Sequence, residues 1–359
     1  MDKLARIYDA EILPLWSRRF GQMILRDLVI PDRCQVLDTA TSTGYPSIEI
    51  LRRLGTDGRL IAIDASSALL DIARKKVEEL GKKGVFFRTE SMEPRLSFAD
   101  DVYDLVICNL GLTEVADRQR AIGEFARVTK PGGQVRCTLP VEGTFQEFYD
   151  IYREVLTKHD KHETLARLTD QLDQAYPGPA ECEKWLEVAG LAEVKVEIDE
   201  FSMLFRSSRE FFFAPVIEFG PLTGWKRVAG HGQEMQDVFW YIKEAIDAYF
   251  EGRAFEITVK AACLKGTKPS VTDEDETGQV LLIDDLEEIV VPSALNPDQL
   301  NTDEIDLDEM IETIDGAAPI IEEMVIDEVA IDAFVEGAQR PDHLDTPIPE
   351  HLPEPSGDD

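Results

Sequence analysis

Four polar side chains stand where short apolar runs of the sequence end. Asp38 closes the run QVLD, Asp64 closes RLIAID, Glu90 closes GVFFRTE, and Asn109 lies in YDLVICNL. Short apolar runs that alternate with amphipathic segments predict a mostly parallel β-sheet covered by helices. Ligands of such sheets bind beyond the carboxyl ends of the strands, so these four side chains are expected to converge on one nucleotide-like ligand.

The turn after the first of these strands bears on which nucleotide-like ligand can bind. It lies within VLDTATSTGYPSIEI at residues 36–50, where Ala40, Ser42 and Tyr45 occupy the positions that are glycine in a dinucleotide-binding turn. Those glycines let the backbone approach a pyrophosphate, so the turn argues against an NAD-dependent dehydrogenase. A cofactor without phosphate needs fewer glycines, and Gly44 can still adopt a positive φ or allow close helix packing.

The elements that position these groups follow from the spacing of apolar residues. Helices are expected over residues 1–30, and SSALLDIARKKVEELG predicts a helix that is capped by Ser66 or Ser67 and ends at Gly81. Helical and aromatic insertions are expected at about 144–190 and 206–251, followed by a last strand, FEITVKAACLKG. The fold class is therefore α/β, a Rossmann-like seven-stranded mostly parallel sheet with helices on both faces and an antiparallel edge strand.

Charge divides the chain into two parts. Of its 71 acidic residues, 28 fall within residues 269–359, where Arg340 is the only basic residue. Such a segment cannot bury enough apolar area to offset its ordering entropy, so we expect a domain over residues 1–268 and a disordered acidic tail over 269–359. Clusters of acidic and aliphatic residues in the tail leave open a role in docking a protein partner.

Composition also argues against several classes of function. There is no evident basic face for nucleic acid, no run of about 18 apolar residues to span a membrane, and no signal-peptide pattern. Five scattered cysteines without a C-x-x-C motif indicate buried reduced thiols in a cytoplasmic protein. The sequence shows no zinc-ligand spacing, so no metal site is expected, and it shows no Ser-His-Asp order or Walker loop.

Residues 36–139 resemble a class I S-adenosylmethionine (SAM)-dependent methyltransferase of the type 11 or ubiquinone/menaquinone-biosynthesis-like group. The resemblance is carried by four motifs in order: VLDTATSTG, LIAIDASSALLDIAR, ESMEPRLSFADDVYDLVICNLGL and RVTKPGG. The first turn of that family commonly reads D-x-G-x-G-x-G. Ser42 departs from it most seriously, because its side chain stands where an edge of SAM should pass. We expect SAM binding to survive this change, with loss of methyl transfer as the alternative.

The resemblance implies a role toward SAM for each strand-end residue. Asp64 would accept hydrogen bonds from both ribose hydroxyls, and Glu90 would accept one from the adenine amino group. Asp38 would sit near the methionyl amino group, directly or through water. Asn109 would flank the methionine moiety, and Tyr8 is a candidate lid contact. The other cofactor-binding candidates lie beside these residues: Ala40, Ser42, Gly44, Ala65, Ser91, Met92 and Leu110.

The implied reaction is methyl transfer from SAM to a small, apolar-bodied acceptor, and it depends largely on positioning in a dry pocket. His231, flanked by glycines in AGHGQE, is the most suggestive histidine for a base. Five aromatic residues either wall the acceptor pocket or form the core of the insertion: Phe211, Phe212, Phe213, Phe219 and Trp225. A catalytically silent methyltransferase-like binding module, with the tail as a docking arm, is the alternative function.

Overall fold

A seven-stranded sheet organises residues 3–270, the part of the chain that the computed structural model describes. Its strands are β1 (Gln35–Asp38), β2 (Arg59–Asp64), β3 (Val85–Thr89), β4 (Tyr103–Asn109), β5 (Thr129–Pro140), β6 (Ala192–Phe205) and β7 (Phe255–Thr267). They lie in the order β3-β2-β1-β4-β5-β7-β6, and β7 runs antiparallel to both of its neighbours. The expected mostly parallel sheet is confirmed, and its antiparallel strand lies between β5 and the outermost strand β6.

Helices precede, connect and follow the strands. They are α1 (Lys3–Ile7), α2 (Leu13–Leu15), α3 (Ser17–Leu25), α4 (Ser47–Arg53), α5 (Ser67–Leu80), α6 (Arg118–Val128), α7 (Gln146–Lys158), α8 (His162–Ala175), α9 (Pro179–Val188), α10 (Ser208–Phe212), α11 (Pro215–Glu218), α12 (Leu222–Ala229) and α13 (Gly232–Phe250). A π-helical turn spans Tyr8–Ile12 and a 3₁₀ turn spans Gly111–Thr113. Within residues 3–270, none of the helices has the length and apolar character needed to cross a membrane.

The two faces of the sheet are covered by different helices. Along β5, the Arg136 side chain reaches the backbone of α3, whereas the next residue, Cys137, lies in an apolar core with Phe125 of α6 and Trp185 of α9. Successive side chains of a strand point to opposite faces of the sheet. Helix α3 therefore covers one face, and α6 and α9 cover the other.

A buried cation fixes the end of α3 to the sheet. Arg136, which is 6% exposed, donates hydrogen bonds to the carbonyl oxygens of Ile24 at 3.1 Å and Arg26 at 3.0 Å, and to Asp27 Oδ1 at 3.0 Å. Lys265 of β7 donates to the same Asp27 carboxylate at 3.0 Å. The last carbonyl groups of a helix lack partners within the helix, so the guanidinium satisfies acceptors that burial would otherwise leave unpaired.

Replacing Arg136 with alanine should lower the free energy of unfolding by about 3 kcal/mol, because buried carbonyl groups lose a charged donor. Urea denaturation followed by circular dichroism measures this change. The matched control is Arg153→Ala, which removes an exposed ion pair with Asp150 at 3.2 Å and should cost less than about 0.5 kcal/mol. Equal effects of the two substitutions would contradict the anchoring role of Arg136.

Candidate functional site

The turn after β1 is tied to the end of β2 through a carboxylate. Asp64 Oδ2 accepts a hydrogen bond from the Ser42 amide at 2.8 Å, and Oδ1 accepts one from the Ser66 amide at 2.9 Å. Ser42 reaches this position with a φ of 48°, in the left-handed region that glycine adopts more easily. Two backbone amides therefore orient Asp64 before any ligand arrives.

Asp38 supports the same turn from inside the protein. It has no exposed surface; its Oδ2 accepts a hydrogen bond from Ser47 Oγ at 2.6 Å, and its Oδ1 accepts one from the Ala40 amide at 3.2 Å. Burial raises the pKa of this carboxyl to about 6, against the opposing effect of those hydrogen bonds. Asp38 thus holds the turn in shape, and its expected place near the methionyl amino group remains a prediction.

The N-terminal residues lie over the first turn. Tyr8 Oη and Ser17 Oγ are joined by a hydrogen bond of 2.8 Å, and the Tyr8 hydroxyl also interacts with the Ser42 side chain. Lys76 of α5 pairs with Asp9 of the π-helical turn and donates a second hydrogen bond, of 3.0 Å, to the carbonyl oxygen of residue 43. Tyr8, the proposed lid contact, is therefore next to the first turn.

The loops after β3 and β4 meet beside the first turn. A Cβ atom on Gly111 would lie 2.5 Å from the Ala40 Cβ and 2.9 Å from the Met92 Cε, so only glycine permits this packing. Ala40 and Met92 are both partly accessible to water. The structure thus brings together two cofactor-binding candidates that are 52 residues apart in the sequence.

Glu90 follows β3 as expected, but its carboxylate already has partners. It pairs with Arg88, and its Oε1 accepts a hydrogen bond from the Ser97 amide at 2.9 Å. Ala65 and Ser91, the residues after Asp64 and Glu90, are exposed, so their backbones border open space. Contact between Glu90 and an adenine amino group remains a prediction that requires one carboxylate oxygen to accept a further hydrogen bond.

Asn109 has structural partners on two sides, and its expected place beside the methionine moiety remains a prediction. Its Nδ2 donates to the Ser17 carbonyl at 3.1 Å, its Oδ1 accepts a hydrogen bond from Thr138 Oγ1 at 2.8 Å, and it is 6% exposed. The side chain therefore joins α3 to the sheet. Leu110 follows it with a φ of 68° and begins the 3₁₀ turn at the same sheet edge. Gly44, with a φ of 103°, is buried against Ile48 of α4.

The sequence did not single out Glu114, which lies at the end of that 3₁₀ turn. Its side chain is exposed to water at one end, and burial and then the Asp64 charge raise its pKa. Its position in the loop beyond β4, five residues after Asn109, could have identified it as a candidate. A search of the whole loop after each strand, and not only of the residues at the strand end, would have included it.

The aromatic side chains form two groups: buried rings in the core of the insertion, and a partly exposed ring that borders the strand-end site. Phe211 and Trp225 have no exposed surface, and Phe148 stacks on Trp225 at 4.0 Å between ring centroids. These residues form the core of the insertion, which is one of the two expected alternatives. Trp16, by contrast, is partly exposed and stacks on Phe145 at 5.8 Å. Because Ser17 is bonded to Asn109, this ring pair borders the strand-end site.

His231 stands apart from these groups in the sequence and on the surface. It is an exposed residue at the start of α13, and no hydrogen bond or ion pair within the described residues joins it to the strand ends. Its role as a base remains a prediction without support from a contact. Among residues 3–270, there is no cluster of three His, Cys, Asp or Glu side chains that could hold a metal ion.

The mostly parallel seven-stranded sheet, with Asp38 and Asp64 as the last residues of β1 and β2, is the arrangement expected from the resemblance to class I SAM-dependent methyltransferases. The model of the ubiE/COQ5 methyltransferase family matches residues 1–202 of the 359-residue chain. The chain therefore belongs to the ubiE/COQ5 methyltransferase family, and SAM is its cofactor.

Individual relatives agree with this family. The chain is 32% identical over 121 residues to the ubiquinone/menaquinone biosynthesis C-methyltransferase UbiE of Idiomarina loihiensis, a match that covers 33% of the chain and 48% of the relative. It thus spans about half the length of that relative. It is 28% identical over 210 residues to a demethylmenaquinone methyltransferase of Staphylococcus aureus, covering 54% of the chain and 81% of the relative.

The fold is similar to that of a solved structure, the YcgJ protein of Bacillus subtilis. Its TM-score is 0.47 at 17% sequence identity, and the match covers 70% of this chain and 99% of that one.

The buried Asp38 predicts a pH dependence of stability that Asp38→Asn should remove. Because its pKa is raised above the unfolded value of about 4, its contribution to stability is present below about pH 4 and is lost as the pH rises through 6. Relative to the wild type, the variant should therefore gain about 2–3 kcal/mol of unfolding free energy between pH 4 and pH 7. Urea titrations at both pH values measure the gain.

The control for this experiment is Asp71→Asn, because Asp71 is an exposed carboxylate on α5. The change that it makes to the unfolding free energy should differ between the two pH values by less than the change made by Asp38→Asn, because an exposed ion pair contributes little to stability. A constant difference between wild type and Asp38→Asn would show that the Asp38 carboxyl titrates normally.

Proposed function

We propose that the chain transfers a methyl group from SAM to a small, apolar-bodied acceptor. The observation that carries the proposal is the Asp64 carboxylate, held by the Ser42 and Ser66 amides at the end of β2 in a chain of this family. The names of its relatives favour a demethylated quinone as the acceptor. An electrophilic methyl group needs an electron-rich ring carbon, so we propose that the acceptor reacts in its reduced, quinol form. The silent-module alternative has no observation in its favour.

The residues at the sheet edge suit the adenosyl part of SAM. Each carboxylate oxygen has two acceptor sites, so Asp64 keeps one free on either oxygen for the two neighbouring ribose hydroxyls. Ala40 and Met92 offer an apolar border for the adenine ring, and both are accessible. Ser42 leaves the bond to Asp64 intact because it uses its backbone amide, so its side chain does not prevent the turn from forming.

The acceptor is proposed to lie against the partly exposed ring of Trp16 near α3, which packs on the buried ring of Phe145. Trp16 stacks on Phe145, and Phe145 packs edge-on to Tyr176 at 6.4 Å between centroids. Flat aromatic surfaces of this kind favour a planar ring by dispersion and by exclusion of water. A quinol ring placed there would face the end of β4, where Asn109 and Leu110 lie.

The chain's own residues mainly position the reactants and exclude water. SAM, when bound, supplies an electrophilic methyl group on a positively charged sulfur. Tyr8 and the Lys76–Asp9 pair hold the N-terminal turn over the first loop, which keeps bulk water from that side. In-line displacement at carbon gains most of its rate from such alignment.

Three further expectations belong to this proposal. The domain is proposed to end at residue 268, with an acidic tail at 269–359 that binds a protein partner; residues 271–359 lie outside the described residues. A cytoplasmic location is proposed because all five cysteines are buried free thiols. Nucleic acid is not proposed as a partner, since the chain carries a net charge of −34.

Asp64→Ala should weaken the binding of SAM and of S-adenosylhomocysteine at least about 100-fold, because two charge-assisted hydrogen bonds to the ribose are lost. Isothermal titration calorimetry measures both affinities. Asp71→Ala, an exposed carboxylate on the helix that follows, should bind both ligands as the wild type does.

Thermal melting of both variants checks that the fold persists, and Asp64→Asn provides a variant that keeps one oxygen for a backbone amide. Wild-type protein that binds neither ligand at millimolar concentration would refute the proposed function. Unchanged affinity in both Asp64 variants would show that the ribose is held elsewhere.

A further inference from the structure

Most carboxyl groups at the ends of β1 to β4 are committed to hydrogen bonds within the protein. Asp38, Asp64 and Glu90 hold the contacts described above, and Glu93 accepts bonds of 3.2 Å from two backbone amides before α6. Glu114 differs from them, because no hydrogen bond or ion pair within residues 3–270 involves its carboxyl group. It is therefore available to a ligand.

The backbone of Glu114 is held firmly although its side chain is free. Its amide donates to the Gly111 carbonyl at 3.0 Å, and Thr113 Oγ1 donates to the Leu110 carbonyl at 2.7 Å. Gly111 is wedged against Ala40 of the first turn, as described above. The 3₁₀ turn therefore fixes the base of the Glu114 side chain where the first and fourth strand-end loops meet.

Glu114 also faces the two other titratable groups of this region. The Asp64 charge raises the pKa of Glu114, and the charges of both carboxylates add to the effect of burial in raising the pKa of the Tyr8 hydroxyl. The nearby Arg118 is directed elsewhere, since its guanidinium donates to the Leu112 carbonyl at 3.0 Å and the Gln174 carbonyl at 2.8 Å. Glu114 is thus an unpaired acid close enough to Asp64, the expected ribose ligand, to sense its charge.

We propose that Glu114 is the general base of the methyl transfer and accepts the proton of a ring hydroxyl on the acceptor; this inference rests on the proposed function. A carboxylate accepts a proton only in its ionised form, and it does so more readily when no hydrogen bond stabilises its negative charge; Glu114 meets the second condition where its neighbours do not. Burial and the Asp64 charge also favour proton uptake, because both raise the pKa of Glu114.

The step balances in atoms and charge. The acceptor's O–H bond breaks and its proton passes to Glu114, while the electrons left on oxygen drive the ring carbon to form a bond to the methyl group. The methyl–sulfur bond breaks with its electron pair remaining on sulfur. The ring carbon then releases its own hydrogen as a proton and the ring oxygen regains one, so one proton is released overall.

The test compares Glu114→Gln with wild type in methyl transfer from labelled SAM to a reduced, short-chain demethylmenaquinone. At saturating SAM, turnover should fall about 100-fold or more, which is the size of a general-base contribution. The dissociation constant for S-adenosylhomocysteine should stay within about threefold, and Glu114→Asp should restore part of the turnover. The matched control is Glu78→Gln, an exposed glutamate on α5, which should leave both quantities unchanged.

Two further measurements distinguish a general base from a carboxylate that has only a structural role. They are the pH profile of turnover and the titration of the Glu114 carboxyl group in the absence of substrates. Wild-type turnover should rise with pH through the raised pKa of Glu114, and Glu114→Gln should lose that rise. Carbon-13 NMR of the glutamate carboxyl groups should show Glu114 titrating at higher pH than glutamate in an unstructured peptide. Asp64→Ala should lower the Glu114 midpoint, because a neighbouring negative charge is removed.

Each outcome bears on one of the two proposals. Unchanged turnover in Glu114→Gln overturns the inference, and so does a loss of S-adenosylhomocysteine affinity as large as the loss of turnover, which would make Glu114 a cofactor contact. Wild-type protein that does not bind S-adenosylhomocysteine refutes the proposed function itself. If wild-type protein binds S-adenosylhomocysteine but leaves the quinol unmethylated, the proposed acceptor is wrong. In that case, a Glu114 signal that titrates as glutamate does in an unstructured peptide overturns the inference.

Discussion

The site depends on the Asp64 carboxylate, which accepts one hydrogen bond from the Ser42 amide and one from the Ser66 amide. The bond from Ser42 holds the turn after β1 against the end of β2, and the bond from Ser66 lies in the turn that starts α5. Because both donors are backbone groups, a serine can stand where glycine is usual and the carboxylate is still oriented. The cost is a left-handed φ of 48° at Ser42, which the surrounding contacts stabilise.

The helix before the sheet depends on contacts from distant parts of the chain. Asn109 and Thr138 fix the start of α3 at the strand ends, and Arg136 and Lys265 fix its end through Asp27. The N-terminal turn is held by these anchors and by Lys76, so Tyr8 lies over the first loop. These contacts anchor one wall of the site to the sheet and to α5.

The sequence predicted the sheet and the helix ends because both depend on local spacing and on single residues. Ser66 caps α5 and Gly81 ends it in the left-handed conformation, as expected. The partners of Asn109 and Glu90 could not be predicted, since each contact joins elements whose approach is set by tertiary packing. Glu114 was missed for a simpler reason, because only the residues at or directly after the end of each strand were considered as ligand-binding candidates.

The central claim is that Asp64, oriented by two amides, binds both ribose hydroxyls. Calorimetry of the wild-type protein with S-adenosylhomocysteine and with its 2′-deoxy and 3′-deoxy analogues tests it most directly. Each deoxy analogue should bind at least about tenfold more weakly than the parent ligand, because one charge-assisted hydrogen bond is lost. Equal affinity for all three ligands would contradict the account.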